Sequence, residues 1–291
     1  MIWLVGNRGM LGTEVEALLQ QHNLQYFASD REVDITDADR LKQFVSGKPL
    51  SWIINCSAYT AVDKAEDDPE LAFQINADGP RNLAGVALSK GAKLIHISTD
   101  YVFDGTKEGA YKETDTPNPL GVYGASKYRG EVYIQKLLKA SFILRTSWLY
   151  GKNGNNFVYT MLRLFRERDE VRVLGDQWGS PTYASDLAEA LLDIVQLNSG
   201  DYGIYHFTNE GNVSWYDFAC EIYCMARNKE FLTKDVLIQR IVTAEYPTKA
   251  HRPLNSCMSK EKIRDVFHID ARPWQEGLQD FFTGIENRQK G

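Results

Sequence analysis

Short runs of consecutive apolar residues alternate with amphipathic stretches through the first half of the chain. Residues 2–5 form such a run and end at Gly6-Asn7-Arg8-Gly9-Met10-Leu11-Gly12, after which Val15, Leu18 and Leu19 recur at helical spacing. That order predicts strand, glycine-rich turn and helix. Further strands are expected at residues 25–28, 52–55, 94–100 and 142–144, with a long helix running from Pro69 to about Ser89. Near-continuous apolar strands separated by helices are what a parallel sheet covered on both faces requires. The expected fold class is therefore α/β, a doubly wound parallel sheet.

Beyond residue 147 the pattern loosens. Helices are expected at 157–165 and 187–195, an irregular loop at 177–183, a capping box at Ser214-Trp215-Tyr216-Asp217, a proline-punctuated basic segment at 246–256 and a last helix from Pro273-Trp274. Residues 1–147 then make one domain, joined by parts of 180–210, and residues 148–291 make mainly a smaller second domain that closes over the strand ends.

Composition narrows the class. The 291 residues are 43% hydrophobic and 25% charged, an ordinary soluble balance. No apolar run approaches the roughly 20 residues that a membrane span needs. The first residues read as a strand rather than a signal peptide, so a cytoplasmic protein is expected. The formal net charge of -6, from 33 basic and 39 acidic residues mixed along the chain, argues against nucleic acid as partner. Cys56, Cys220, Cys224 and Cys257 form no Cys-x-x-Cys pair, and the five histidines are scattered, so no metal site is expected. His96, inside an apolar strand, reads as a buried, hydrogen-bonded residue.

The candidate chemistry lies at strand ends. Gly6, Gly9 and Gly12 let the backbone curl, let N–H groups approach a pyrophosphate and let the helix pack near the strand, which makes the first turn a dinucleotide site of the Rossmann type. Asp30 stands where a ribose-binding acid belongs and would favour NAD, whereas Arg31 would hold a 2′-phosphate and admit NADP; the alternatives stay open. Asp34-Ile35-Thr36-Asp37 would pass the adenine and cap the next helix through Thr36 or Asp37. Ser98-Thr99-Asp100 brings two hydroxyls and a carboxylate to a strand end. Tyr123 and Lys127 stand four apart, on one face of a helix, where an ammonium would lower the phenol's pKa from near ~10. Such a pair is a candidate general acid.

Together these residues resemble the extended short-chain dehydrogenase/reductase family. Within it, the strings Asn55 to Glu66, Ser98 to Phe103, Arg145 to Trp148, Asn155-Asn156-Phe157 and Arg252 to Ser256 look like the dTDP-4-dehydrorhamnose reductases. The resemblance implies reduction of the C4 ketone of dTDP-6-deoxy-L-lyxo-4-hexulose to dTDP-L-rhamnose with NADPH or NADH. Tyr123 would protonate the developing alkoxide, Lys127 would depress the tyrosine and hold the nicotinamide ribose, and Thr99 would donate to the carbonyl oxygen. Cofactor contacts would come from Gly6, Arg8, Gly9, Met10, Leu11 and Gly12, then from Asp30, Arg31, Asp34 and Ile35. Cys56, Ala58 and Tyr59 would extend them, and Asn76 would support the lysine through water. The substrate would meet Thr60, Val62 and Asp63, then Asp100 and Tyr101. Trp148 would face the deoxysugar ring, near Asn156, with Arg252 and Asn255 toward the diphosphate.

Some members dimerise through magnesium held by glutamates. Glu14 matches one such ligand, but Ser185-Asp186 and the short tail do not supply the others, so magnesium is left open and a homodimer remains an option. Two other functions are compatible with the same strings: reduction of another nucleotide-linked ketosugar, and a non-catalytic role like that of the regulatory subunit of methionine adenosyltransferase.

Overall fold

A computed structural model describes residues 1–290, with side chains through residue 286; every count below refers to these described residues. The chain begins β1 (Ile2–Val5), α1 (Met10–Gln21), β2 (Tyr26–Ser29), α2 (Ala38–Phe44) and β3 (Trp52–Asn55). Two short helices, α3 (Val62–Ala65) and α4 (Pro69–Phe73), lead through a π-helical turn at Gln74–Asp78 into α5 (Gly79–Lys90) and β4 (Lys93–Thr99). After a 3-10 turn at Asp100–Val102 come α6 (Val122–Leu137), β5 (Ser141–Thr146), β6 (Leu149–Tyr150), α7 (Phe157–Glu167), β7 (Glu170–Leu174), β8 (Trp178–Gly179) and β9 (Thr182–Tyr183). The chain ends with α8 (Ala184–Leu197), β10 (Gly203–His206), β11 (Val213–Ser214), α9 (Trp215–Asn228), β12 (Leu237–Ile241), α10 (Glu261–Phe267) and α11 (Trp274–Lys290).

Six strands form the central sheet in the order β10-β5-β4-β3-β1-β2, and every pairing is parallel. Alternate side chains serve opposite cores. Ile2 and Leu4 of β1 pack with Leu11, Val15 and Leu19 of α1 and with Leu187 and Leu191 of α8. Trp3 and Val5 pack on the other face with Leu41, Leu83 and Ile134. A parallel strand buried on both faces must be apolar throughout, which is why the tetrapeptide Ile-Trp-Leu-Val shows no alternation. The sheet also recruits late sequence: β10 pairs with β5, and Ile263 and Phe267 of α10 join the core of the first face.

The second core gathers Tyr150, Phe165, Phe218, Phe281 and Phe282 from β6, α7, α9 and α11. α9 starts at the capping box of Ser214 and Asp217, and α2 starts at Asp37, which accepts from the N–H groups of Asp39 and Arg40. Residues 177–183, expected as irregular, hold two short strands, β8 paired with β11 and β9 with β6. Their partners lie far along the chain, so no local pattern announces them. The helix expected from Pro69 is divided by the π-helical turn, which carries buried Asn76.

α6 lies unusually deep. A Cβ on Gly124 would collide with the Tyr101 carbonyl, and one on Gly130 with the Asn76 carbonyl. Behind α6, Glu131 holds Arg145 through a two-pronged ion pair, 2.9 Å at Nε and 2.6 Å at Nη2, with both side chains buried. Removing one charge would strand the other in the core. Glu131→Gln should therefore lower unfolding free energy by about 3 kcal/mol, read as a reduced urea midpoint at unchanged slope.

Candidate active site

A cavity of about 1150 Å³ opens at the carboxyl ends of the central strands. Gly6, Arg8, Gly9, Met10 and Leu11 line it from the β1–α1 turn, and Asp30, Arg31, Asp34 and Ile35 from the segment after β2. Cys56, Ala58, Tyr59, Thr60 and Val62 follow β3; Thr99, Asp100 and Tyr101 close β4; Tyr123 and Lys127 come from α6 and Trp148 from the end of β5. The turn fits a dinucleotide on two counts. Gly6 has φ +80, and a Cβ there would lie 2.8 Å from Ser57 N, so only glycine lets the turn after β1 pack this close to the loop after β3 at the cavity wall. No side chain caps α1 at Gly9, which leaves its first N–H groups open to an anion. Gly12 sits beneath the cavity, where a Cβ would collide with the Gly6 carbonyl, so its role is helix packing.

The reacting groups are close together but differently engaged than the sequence predicts. The Tyr123 ring meets Tyr101 edge-on at 5.4 Å. Burial pushes the Tyr123 phenol up to about 12, with Thr99 pulling it down and Asp100 adding to the rise. Lys127 does not offset this: its Nζ donates to the Ile97 carbonyl at 2.6 Å and lies 3.4 Å from His96 Nε2. Burial also holds Lys127 down at about 8, against the opposing pull of Glu131. The expected acidification of the phenol by the lysine is thus absent from this arrangement, because the ammonium points at the end of β4. Thr99 donates to Asp100 Oδ1 at 2.9 Å and accepts from the Tyr101 N–H at 3.2 Å, so a ketone oxygen must compete with Asp100 for its hydrogen.

Several predicted contacts are spent elsewhere. Asn76 accepts from Tyr59 N at 2.8 Å and donates to Tyr59 O and Ser126 Oγ, so it pins the loop after β3 to α6 rather than lining the cavity. Asn156 caps α7, and its neighbour Asn155 faces the cavity. Asn255 donates to the carbonyls of Lys107 and Gly109. Arg252 grips Asp63 with a fork, 3.2 Å and 2.6 Å, which holds the Asp63 carboxyl below the usual carboxylate range. Neither side chain of that pair lines the cavity. Ser57, Ile75, Ser147 and Asn155 do line it without having been singled out. Trp148, at φ 48, stacks on Trp215 with ring centroids 3.5 Å apart. The segment containing Trp215 reads only as a helix start in the sequence.

The family model described as RmlD substrate binding domain matches residues 1–287. The dTDP-4-dehydrorhamnose reductase of Aggregatibacter actinomycetemcomitans is 44% identical over 283 residues, 95% of this chain and 96% of that protein. The chain belongs to the dTDP-4-dehydrorhamnose reductase family. It is accordingly an NAD(P)-dependent oxidoreductase with a Rossmann-type fold. The crystal structure of a dTDP-4-dehydrorhamnose reductase from Clostridium acetobutylicum superposes with a TM-score of 0.91 at 39% identity, covering 98% of this chain and 99% of that one. A reductase from Bacillus anthracis, solved in complex with NADP, gives 0.90 at 40%, covering 97% of this chain and 98% of that one.

Glu14, the residue that matches a metal ligand of other members, pairs with Lys152 at 3.5 Å, and no cluster of three metal-binding side chains exists among the described residues. An internal ammonium balances the carboxylate.

Asp100 supplies a pH test. Burial raises its carboxyl to about 6, against hydrogen bonds that favour the anion. The folded pKa lies above the unfolded one, so the folded state binds more protons between about pH 4 and 6, and this residue's contribution to stability is lost as pH rises through that window. Urea titrations at several pH values should show that negative slope in the wild type and its loss in Asp100→Asn.

Proposed function

We propose that this chain reduces the C4 ketone of dTDP-6-deoxy-L-lyxo-4-hexulose to dTDP-L-rhamnose, using NADPH or NADH. The carrying observation is that Thr99, Tyr123 and Lys127 line the same cavity as the glycine turn. A ketone held there would have a hydroxyl donor and a phenol on one side. When bound, the dihydronicotinamide supplies the hydride. Asp30 and the arginines Arg8 and Arg31 share the adenosine end of the cavity, which suits either a free ribose hydroxyl or a 2′-phosphate.

Tyr123 is the proton donor. Its high pKa in the resting arrangement keeps the phenol protonated at neutrality, so the group is charged with its proton before the reaction starts. Thr99 turns its hydroxyl from Asp100 to the carbonyl oxygen and stabilises the charge that develops there. Lys127 holds the nicotinamide ribose and returns a proton to the tyrosine side after transfer. The Trp148 indole offers a flat apolar face to the deoxysugar, held rigid by its stack on Trp215. The Arg252–Asp63 fork stands outside the cavity lining, where the guanidinium can exchange its carboxylate for a phosphate.

The test is oxidation of NADPH or NADH by the dTDP-ketosugar, generated enzymatically. Tyr123→Phe should lower kcat by about 10²-fold or more while cofactor binding persists. Cofactor and substrate binding with no turnover by the wild type would overturn the catalytic reading, and faster turnover of UDP- or GDP-linked ketosugars would overturn the choice of substrate. In single-turnover experiments Lys127→Ala should lose more rate than Thr99→Ala, because it removes both a proton source and a cofactor contact.

A further inference from the structure

The strand that delivers Thr99 also carries His96, fully buried three residues earlier. Its Nδ1 lies 3.0 Å from Asn55 Nδ2 on the neighbouring β3. The other end of that amide faces the Ser57 backbone N–H at 3.0 Å and the Ser57 hydroxyl at 2.5 Å. A backbone N–H can only donate, so the amide atom opposite it is the oxygen and the nitrogen must face the imidazole. An amide NH₂ also only donates, which makes His96 Nδ1 an acceptor. A neutral imidazole with an accepting Nδ1 carries its hydrogen on Nε2. That nitrogen is 3.4 Å from Lys127 Nζ.

Two donors therefore face each other whenever Lys127 is an ammonium. An amine would instead accept the Nε2 hydrogen while still donating to the Ile97 carbonyl at 2.6 Å. We infer that His96 is a positioning residue for Lys127: Asn55 locks its ring as the Nε2–H tautomer, and that hydrogen biases the lysine toward releasing its proton to the tyrosine side of the site. This extends the proton-returning role proposed for Lys127 and rests on it.

The other groups facing the lysine act differently. Cys56, from the end of β3, has its thiol pushed up to about 12 by burial and stays neutral. Glu131, one turn further along α6, favours the ammonium, but Arg145 already engages its carboxylate through both oxygens. Tyr123, one turn before, keeps its proton. Burial pushes His96 itself well below the ordinary histidine range, so the ring is neutral and its tautomer has meaning at neutral pH. The same burial holds the lysine down at about 8.

Two magnetic resonance measurements on the full chain test this. In ¹⁵N-histidine-labelled protein, long-range ¹H–¹⁵N correlations should show His96 with a bare Nδ1 and a protonated Nε2. In protein carrying ¹³C at the lysine ε-carbons, with Lys127 assigned through a Lys127→Met control, the Lys127 signal should titrate below the other lysines. In His96→Gln, which places an amide oxygen toward the lysine, its midpoint should move alkaline by about one pH unit. An Nδ1–H tautomer in the wild type, or an unmoved Lys127 midpoint in folded His96→Gln, would overturn the inference; should that variant fail to fold, the wild-type tautomer decides. Neither reading requires turnover, so absence of ketosugar reduction would sink the proposed reaction without touching this result.

Discussion

The depth at which α6 sits governs the site. Gly124 and Gly130 remove side chains where the helix backbone meets the carbonyls of Tyr101 and Asn76, and Ser126 fills the remaining gap with a hydroxyl bonded to Asn76. The π-helical turn supplies the matching surface: its wider turn places Asn76 with its amide oxygen on the Tyr59 N–H and its amide nitrogen on both the Tyr59 carbonyl and Ser126 of α6. A helix held further out would move Tyr123 and Lys127 away from the strand ends. The four-residue spacing of the pair matters only because small residues interleave with it.

That depth carries a cost, since it buries Lys127, Glu131 and Arg145 together with His96. Charges in a core persist only when each finds a partner. The fork between Glu131 and Arg145 settles two of them, with the guanidinium also 5.0 Å from the Phe103 ring. Lys127 is left with one carbonyl and a neutral ring, a poor setting for an ammonium. A structural lysine would be expected to find a carboxylate of its own. Here Arg145 already engages the nearest carboxylate, that of Glu131, and burial holds Lys127 down at about 8.

The Trp148 wall of the cavity uses a different device. Trp148 adopts a left-handed backbone conformation that bulky residues avoid, at a cost of order 1–3 kcal/mol, and its carbonyl accepts from the Thr182 N–H at 3.3 Å. A Cβ at Gly179 would press into its ring at 2.6 Å. The indole is thus fixed between β8 and Trp215, so the surface it presents is set by β8 and α9 and not by the strand from which it emerges. Rigid aromatic walls lose little freedom on binding, which favours selection by shape.

By itself the sequence determined the elements whose causes are local. Consecutive apolar residues pointed to doubly covered parallel strands, and the glycines after β1 pointed to a tight turn. Ser214 with Asp217 could only open a helix, and Tyr123 with Lys127 had to share a face. It also named most of the cavity lining, because the strings from β3, β4 and the first turn lie at carboxyl ends by topology. Tertiary structure decided where polar side chains spend their hydrogen bonds. Asn76, Asn156 and Asn255 turn to nearby backbone, Lys127 turns to Ile97, and Thr99 turns to Asp100. Those choices depend on donors and acceptors brought close by packing, and a one-dimensional pattern carries spacing along the chain but no distances across it.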